Sequence, residues 1–334
     1  MQDENTNAVN SAERVVTMKK FMPEGYLLAT QENRNAMLSL SSLRDAHYNG
    51  KILEARVTVC DKDHNLHVEL GPVHGIIPRQ EGAIGIDDGT VRDIAIISRV
   101  NKPVMFKITG FDVDESGRTV AVLSRKAVQM ECMNEYIRHL TPGCVIDAVV
   151  THMENFGVFA DIGAGISALM PIDSISVSRI PHPSARFTGG QKIKAVVKAI
   201  DKANRVTLSY KELLGTWEEN ASAFKAGETV PGIVRSVERY GIFIELKPNL
   251  AGLAEYVPNV TPGQSASVYI KNMIPERMKI KLIVVDSFDA QYPVTQPETF
   301  FDGDFIDRWV YSPECCPRKI ETVFSDFSLT DTAI

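Results

Sequence analysis

Short apolar runs rich in β-branched residues alternate with Gly, Pro and Asn over residues 143–211. About five such runs fit into about 70 residues, which predicts short strands in a small closed antiparallel barrel. The one long connection, residues 171–190, contains Pro181, Pro183 and two consecutive glycines, so it can hold at most a helical turn or two. The pattern favours a five-stranded Greek-key barrel.

One sequence phrase recurs along the chain. Residues 156–162 read Phe-Gly-Val-Phe-Ala-Asp-Ile, and residues 240–246, which begin 84 positions later, read Tyr-Gly-Ile-Phe-Ile-Glu-Leu. A more divergent copy, His-Asn-Leu-His-Val-Glu-Leu, occupies residues 64–70. Self-similarity at the spacing of a small domain predicts tandem modules, here three.

Two connecting segments have helical periodicity. In residues 125–140, apolar residues recur every three or four positions before a stop at Thr141-Pro142-Gly143. Residues 212–224 show the same spacing before Gly227. We expect both segments to form short helices that couple one barrel to the next.

These features predict a mainly β protein, in which three tandem five-stranded OB-fold barrels are joined by short helices. The predicted parts are an N-terminal extension at 1–49, a degenerate barrel at 50–126, a linker helix at 127–142, a barrel at 143–211, a second linker helix at 212–226, a third barrel at 227–285 and an acidic, aromatic C-terminal tail at 286–334.

Charge is unevenly distributed along the chain. The formal net charge is −6, but residues 141–211 hold eight basic against five acidic residues, and residues 286–334 hold three basic against ten acidic residues. An acidic tail on weakly basic barrels confines any polyanion-binding surface to the middle modules. There is no apolar run of the ~18 residues that a membrane span needs and no start typical of a signal peptide, so we expect a cytoplasmic monomer without a membrane partner.

The strand after Gly157 supplies the candidate binding residues. Residues of one parity share a face of a strand, so Val158 and Ala160 should fill the barrel while Phe159 points outward. Phe156 has the inward parity, and a bulge or bend at Gly157 would be needed to release it to the surface. Two exposed rings would form a stacking platform for unpaired bases. The alternative interpretation is that Phe156 is an ordinary core residue of the barrel.

Residues 143–211 resemble the S-one (S1) RNA-binding domain, an OB-fold repeat family. They share its aromatic-glycine-aliphatic-aromatic signature at 156–159, its Gly-Gln at 190–191 and its closing acid, spacer, Arg-aliphatic-x-Leu-Ser at 201–209. The resemblance is specific at residues 143–211, good at residues 227–285 and weak at residues 50–126. It implies binding of single-stranded RNA, with mRNA and the small ribosomal subunit as partners.

The resemblance also implies which residues contact RNA. In the middle module these are Phe156, Phe159, Asp201 and Arg205. Proline stands where the family has a histidine after the third strand, and His182 in the following loop is the candidate substitute, although a solvated loop histidine is the plainer interpretation.

The other two modules depart further from the family pattern. The third keeps Tyr240 and Phe243 and has Lys279 near the place of the arginine, so we expect weaker or less selective binding. The first has His64 and His67 at the aromatic positions, and we expect a structural or protein-contacting barrel.

A metal site is the tempting alternative in the first module. Cys60, His64, His67, Glu69 and His74 fall within fifteen residues, and His and Cys are zinc ligands. Strand alternation places His64 and His67 on opposite faces, and the repeat accounts for both without a metal, so we expect no metal. The five cysteines lack CxxC spacing and are expected to be free thiols.

Signals for catalysis or a cofactor are poor. Residues 163–168 match a Gly-x-Gly-x-x-Ala dinucleotide pattern, but they would lie in a hairpin and not at the start of a helix. We therefore expect neither enzyme activity nor a cofactor. The leading hypothesis is a noncatalytic single-stranded RNA-binding protein acting in translation. The alternatives are a ribosome- or ribonuclease-associated protein scaffold and an RNA-stability factor. A nuclease is disfavoured because no segment outside the predicted barrels is long enough to be a catalytic domain.

Overall fold

The computed structural model describes residues 20–290 and 297–324. The start of the predicted N-terminal extension, residues 291–296 of the tail and its last ten residues lie outside the described residues. The described residues divide into two compact units, one that extends to Leu140 and includes 163–165, and one that comprises 141–162 and the described residues from 166 onward. None of the helices in the described part is long and apolar enough to cross a membrane.

The first unit holds one closed barrel and the helices around it. Its elements are α1 (Gln31–Ala36), α2 (Leu40–Tyr48), β1 (Leu53–Cys60), β2 (Leu66–Glu69), β3 (His74–Ile77), α3 (Ile94–Ile97), β4 (Pro103–Val113), β5 (Thr119–Ser124) and α4 (Arg125–Glu135), with 3-10 turns at Arg79–Glu81 and Ile137–His139. Alternating buried residues of the strands, such as Leu53, Leu66 and Phe106, fill the barrel interior.

The segment before the first barrel is structured from residue 20 onward. Ser39 begins α2 with a capping box. Its Oγ accepts the backbone N–H of Ser42, and Ser42 Oγ accepts the backbone N–H of Ser39. Leu43 and Ala46 of α2 are buried in the core cluster of the barrel. The buried carboxylate of Glu54 accepts the backbone N–H groups of residues 25, 27 and 28, and burial raises its pKa despite these bonds.

The second unit holds two further barrels. The first of them comprises β6 (Val145–Glu154), β7 (Gly157–Asp161), β8 (Ser167–Pro171), β9 (Lys192–Ile200) and β10 (Val206–Ser209). A connector follows, with a 3-10 turn at Lys211–Leu214 and the helix α5 (Trp217–Ala221). The next barrel comprises β11 (Thr229–Glu238), β12 (Gly241–Lys247), β13 (Leu250–Ala254), β14 (Ser265–Ile274) and β15 (Lys279–Phe288).

All three barrels have the same topology. Around each ring the order is first, second, third, fifth and fourth strand, and the third and fifth strands pair in parallel. The predicted fold class, mainly β with three tandem five-stranded OB-fold barrels, is therefore confirmed. We call them barrels 1, 2 and 3. The exact seven-part division of the chain stays a prediction.

The tail is part of the second unit. Residues 304–306 bond to the start of barrel 2, where Asp304 O accepts from Val145 N at 2.8 Å and Ile306 N donates to Gly143 O at 2.9 Å. Strands β16 (Arg308–Val310) and β17 (Glu321–Val323) form a two-stranded sheet. Tyr311 O accepts from Trp217 N of α5 at 2.9 Å. The connector and the tail together join barrels 2 and 3.

A buried ion cluster also links these two barrels. Glu245 of β12 accepts from Arg235 Nη2 at 2.8 Å and from the guanidinium of Arg186, which lies in the long loop of barrel 2. Burial lowers the pKa of Arg186 although the Glu245 carboxylate beside it acts in the opposite direction. The arrangement stabilises one geometry because each buried charge depends on its partner.

Candidate nucleic-acid interface

The aromatic pair of barrel 2 lies on the β6–β7 hairpin. Glu154 pairs with Gly157, so Asn155 and Phe156 form a two-residue turn. Phe156 is 57% exposed and meets half-buried Phe159 edge to face, with ring centroids 6.0 Å apart. The rings are therefore in contact at the surface.

The reason for the exposure of Phe156 differs from the predicted one. Phe156 belongs to the turn, so strand parity does not apply to it, and the register shift of the hairpin lies between Val150 and His152 of β6, not at Gly157. Glycine is required at 157 by close packing, since an added Cβ would lie 2.4 Å from the carbonyl oxygen of Met170.

A row of outward side chains crosses barrel 2 at the level of Phe159. His152 pairs with Phe159, Phe159 with Leu169, and Leu169 with Thr207. Residues directly opposite each other share a face, and strands lie ~4.8 Å apart, so the row extends over about 14 Å. Arg205 stands two positions before Thr207, at the end of the loop that leads into β10.

Asp201 and Arg205 form one structure in the β9–β10 loop. The Asp201 carboxylate accepts the backbone N–H groups of Ala203 and Arg205 at 2.9 Å and Arg205 Nε at 2.7 Å. These hydrogen bonds lower the pKa of Asp201, and the bond from the Arg205 backbone N–H has the largest effect. The Arg205 side chain is 82% exposed, so the loop presents an oriented guanidinium to solvent.

His152 is a member of this face that the sequence analysis missed. Its ring lies at 23° to that of Phe159, with centroids 6.4 Å apart, and its Nε2 lies 2.6 Å from Glu154 Oε1. The hairpin register was the available signal, because a two-residue turn at 155–156 sets position 152 opposite 159.

His182 has a local role. Its Nδ1 accepts the N–H of Ser184 at 3.1 Å and caps the 3-10 turn Pro183–Ala185. Pro171, where the family has its histidine, ends β8. These bonds tie the His182 ring to its own loop; the proposed RNA contact of this residue gains no support from them.

Barrel 3 repeats the row with different residues. Ser236 pairs with Phe243, Phe243 with Leu253, and Leu253 with Lys281. Tyr240 occupies the hairpin turn, is 70% exposed and meets Phe243 edge to face at 6.1 Å. Lys281, which is exposed, was also missed, and it adds a cation where barrel 2 has Thr207.

The β14–β15 loop of barrel 3 lacks the acid of its counterpart. Pro275 stands where Asp201 stands, so there is no carboxylate at this position to orient the exposed Lys279. The fourth loop position adopts positive φ in all three barrels, at Gly117 (78°), Asn204 (58°) and Met278 (50°). A methionine in this region is strained, because its Cβ approaches the following carbonyl.

Barrel 1 has histidines at the two aromatic positions, and one of them, His67, bonds to a third histidine. His67 Nδ1 lies 2.7 Å from His74 Nε2, while His67 Nε2 meets Asp61 at 3.0 Å and His74 Nδ1 meets Glu69 at 3.0 Å. Burial raises the pKa of Asp61, but hydrogen bonds, that from His67 foremost, lower it to about 2 overall. His64 pairs separately, at 3.4 Å from Asp93.

The same barrel keeps an element that the sequence analysis overlooked. Asp114 accepts the N–H groups of Ser116 and Arg118 at 2.9 Å and a hydrogen bond from the Arg118 side chain at 2.9 Å, as Asp201 does from the corresponding groups in barrel 2.

Within residues 20–290 and 297–324, no group of three or more His, Cys, Asp or Glu side chains could hold a metal ion.

Comparisons with known proteins agree with this architecture. A family model of the S1 RNA binding domain matches residues 47–123 and 140–211. The chain is 28% identical over 295 residues to the small ribosomal subunit protein bS1 of Staphylococcus aureus, covering 82% of this chain and 72% of that protein. A bS1 homolog of Bacillus cereus is 28% identical over 300 residues, 86% of this chain and 74% of that protein.

One relative is named for a catalytic activity. The 4-hydroxy-3-methylbut-2-enyl diphosphate reductase of Fusobacterium nucleatum is 28% identical over 263 residues, which are 78% of this chain and 31% of that protein. The match leaves most of the reductase uncovered, so the name describes a much longer protein. The matched domains, the relatives and the three barrels together support an S1-like protein with tandem S1 RNA-binding domains.

Proposed function

We propose that this protein is a noncatalytic binder of single-stranded RNA, that barrels 2 and 3 are its binding modules, and that its partners are mRNA and the small ribosomal subunit in translation. It works in this proposal as a cytoplasmic monomer. The ribosomal assignment is supported by the names of the Staphylococcus and Bacillus relatives.

The contact between the exposed rings of Phe156 and Phe159 is the observation that carries the proposal, and the Asp201–Arg205 loop at the start of β10 adds an exposed cation. Every base has a π face, and stacking on an aromatic side chain contributes ~1–3 kcal/mol per base with little dependence on sequence. A guanidinium held by a carboxylate is already oriented when a phosphate or a base arrives, which reduces the entropy lost on binding.

The duplicated face supports binding to one continuous strand. Barrels 2 and 3 are joined by the connector, the tail and the Arg186–Glu245–Arg235 cluster. Once one barrel has bound, the second engagement is intramolecular, and its effective concentration increases the total affinity. Barrel 1 lacks the exposed rings, and in this proposal its face has another role.

The test is fluorescence anisotropy of the whole chain with a labelled, unstructured ~20-nucleotide RNA and with its duplex form, at low and physiological salt. Preference for the single strand at physiological salt supports the proposal. Phe156→Ala/Phe159→Ala should weaken binding about tenfold or more, whereas Tyr48→Ala, which removes an exposed ring of α2, should not. Unchanged affinity in a folded double variant would count against the stacking face.

A second candidate function, a protein-docking scaffold, is favoured by a different surface. Tyr269 of β14 pairs with Ile283 of β15, and both are exposed, as is Val285. An apolar strip of this kind is typical of a protein contact. A chain that binds no RNA at either salt concentration but co-sediments with small ribosomal subunits, and loses this on Ile283→Asp, would support the scaffold instead.

A further inference from the structure

We infer that His152 is the third ring of the RNA-binding platform of barrel 2 and contributes to a difference in affinity between barrels 2 and 3. The inference rests on the proposed function, since it names a further contact on the same face. It concerns a residue that the S1 signature at 156–159 does not include.

The first support is the position of the ring. His152 lies directly across the hairpin from Phe159, and the two rings are nearly parallel, at 23°, with centroids 6.4 Å apart. Phe156 lies against the same phenylalanine, edge to face. Phe159 therefore has an aromatic neighbour in each direction, and the three rings extend the surface that an unpaired base can cover.

The second support is exposure together with orientation. The His152 side chain is 63% exposed, so it contributes little to the barrel core. Glu154, two positions along β6 and on the same face, engages Nε2 at 2.6 Å. This bond restricts rotation of the imidazole, so that less side-chain entropy is lost when a base stacks on it.

The third support comes from the other barrels. All three hairpins carry the register shift just before this position, between Val57 and Val59, Val150 and His152, and Val234 and Ser236. Barrel 1 has Val59 at the equivalent site and barrel 3 has Ser236. Barrel 3 therefore has two rings on the same backbone frame where barrel 2 has three, which makes Ser236 the matched site for a reciprocal exchange.

The experiment uses the full chain and labelled oligouridine, which contains no stable duplex, in anisotropy titrations at physiological salt. We expect His152→Ala to weaken binding about five- to tenfold, as the loss of one stacking contact would. His152→Phe should remain within about twofold of the native chain, since it keeps a ring and removes the titratable group. Ser236→His should strengthen binding about threefold or more, whereas Ser236→Ala should leave it unchanged.

The outcomes distinguish a stacking role of His152 from a role as a charge and from no role in RNA binding. If Phe159→Ala weakens binding but His152→Ala does not, the inference is wrong and the proposed function stands. If His152→Phe binds RNA as weakly as His152→Ala while His152→Lys binds as tightly as the native chain, His152 acts as a charge and the stacking role is overturned. If neither the native chain nor any variant binds oligouridine, the proposed function and the inference both fail. Thermal unfolding of each variant shows whether a loss of binding reflects a loss of folding, and in that case the Ser236 pair alone decides.

Discussion

Barrels 2 and 3 have the same strand order and the same exposed aromatic turn, but their proposed RNA faces differ at four corresponding positions. Barrel 2 has His152, Asp201 and Arg205 where barrel 3 has Ser236, Pro275 and Lys279. Barrel 3 adds Lys281 in the place of Thr207. Barrel 2 therefore combines a third ring with an oriented guanidinium, and barrel 3 combines two rings with two ammonium groups.

The same barrel fold thus presents two different sets of binding groups. Rings and an oriented guanidinium make contacts with defined geometry, while a lysine attracts phosphate as a mobile point charge. We expect barrel 2 to contribute more affinity at high salt, where electrostatic attraction is screened, and barrel 3 to contribute mainly at low salt.

The largest expected effect comes from breaking the link that holds the two barrels together. Glu245→Ala leaves the guanidinium groups of Arg186 and Arg235 buried without their carboxylate, and such a change typically costs about 3–5 kcal/mol. Urea unfolding should show a lower midpoint, with the second unit losing stability. Glu238→Ala removes an exposed carboxylate of the same barrel and is the control. Equal midpoints for both variants would show that the cluster does not stabilise the pair.

The next effect compares the two aromatic pairs directly. Phe156→Ala/Phe159→Ala should weaken binding of a ~20-nucleotide RNA more than Tyr240→Ala/Phe243→Ala, since the barrel 2 pair also supports the His152 ring; each stacking contact contributes ~1–3 kcal/mol. Anisotropy at physiological salt measures both. A larger loss from the barrel 3 pair would reverse the assignment of the stronger module.

Much of this comparison follows from the sequence, and the exceptions have physical reasons. The repeated phrase predicted the barrels and both aromatic pairs, because alternation and local turn residues determine a hairpin. His152 and Lys281 were missed because their place on the face depends on which residue of a neighbouring strand they oppose. Helices α1 and α2 were missed because short helices owe their stability to packing, here of Leu43 and Ala46, and not to local propensity.

Exchange of the loop cations should have a moderate effect. Arg205→Lys keeps the charge, so the dependence of log affinity on log salt should remain unchanged while affinity falls a few-fold at physiological salt, because lysine lacks the planar fork. Arg205→Ala, Lys279→Ala and Lys281→Ala should each reduce the salt slope by about 1. Salt titrations of the variants measure this. An unchanged slope in Arg205→Ala would mean that this side chain contacts no phosphate.

The smallest expected effect concerns the backbone of the loop that carries these cations. Met278 adopts a φ of 50° where barrel 2 has Asn204 at 58°, and a left-handed conformation costs an ordinary L-residue roughly 1–2 kcal/mol, whereas asparagine tolerates it better. Met278→Asn should therefore stabilise the second unit by ~1 kcal/mol or less, and Asn204→Met should destabilise it by a similar amount. Thermal unfolding of the two reciprocal variants measures both changes. RNA affinity should stay constant in Met278→Asn, because the loop keeps its shape. A stability change of the same sign in both variants would mean that side-chain packing, and not the backbone conformation, determines the cost at this position.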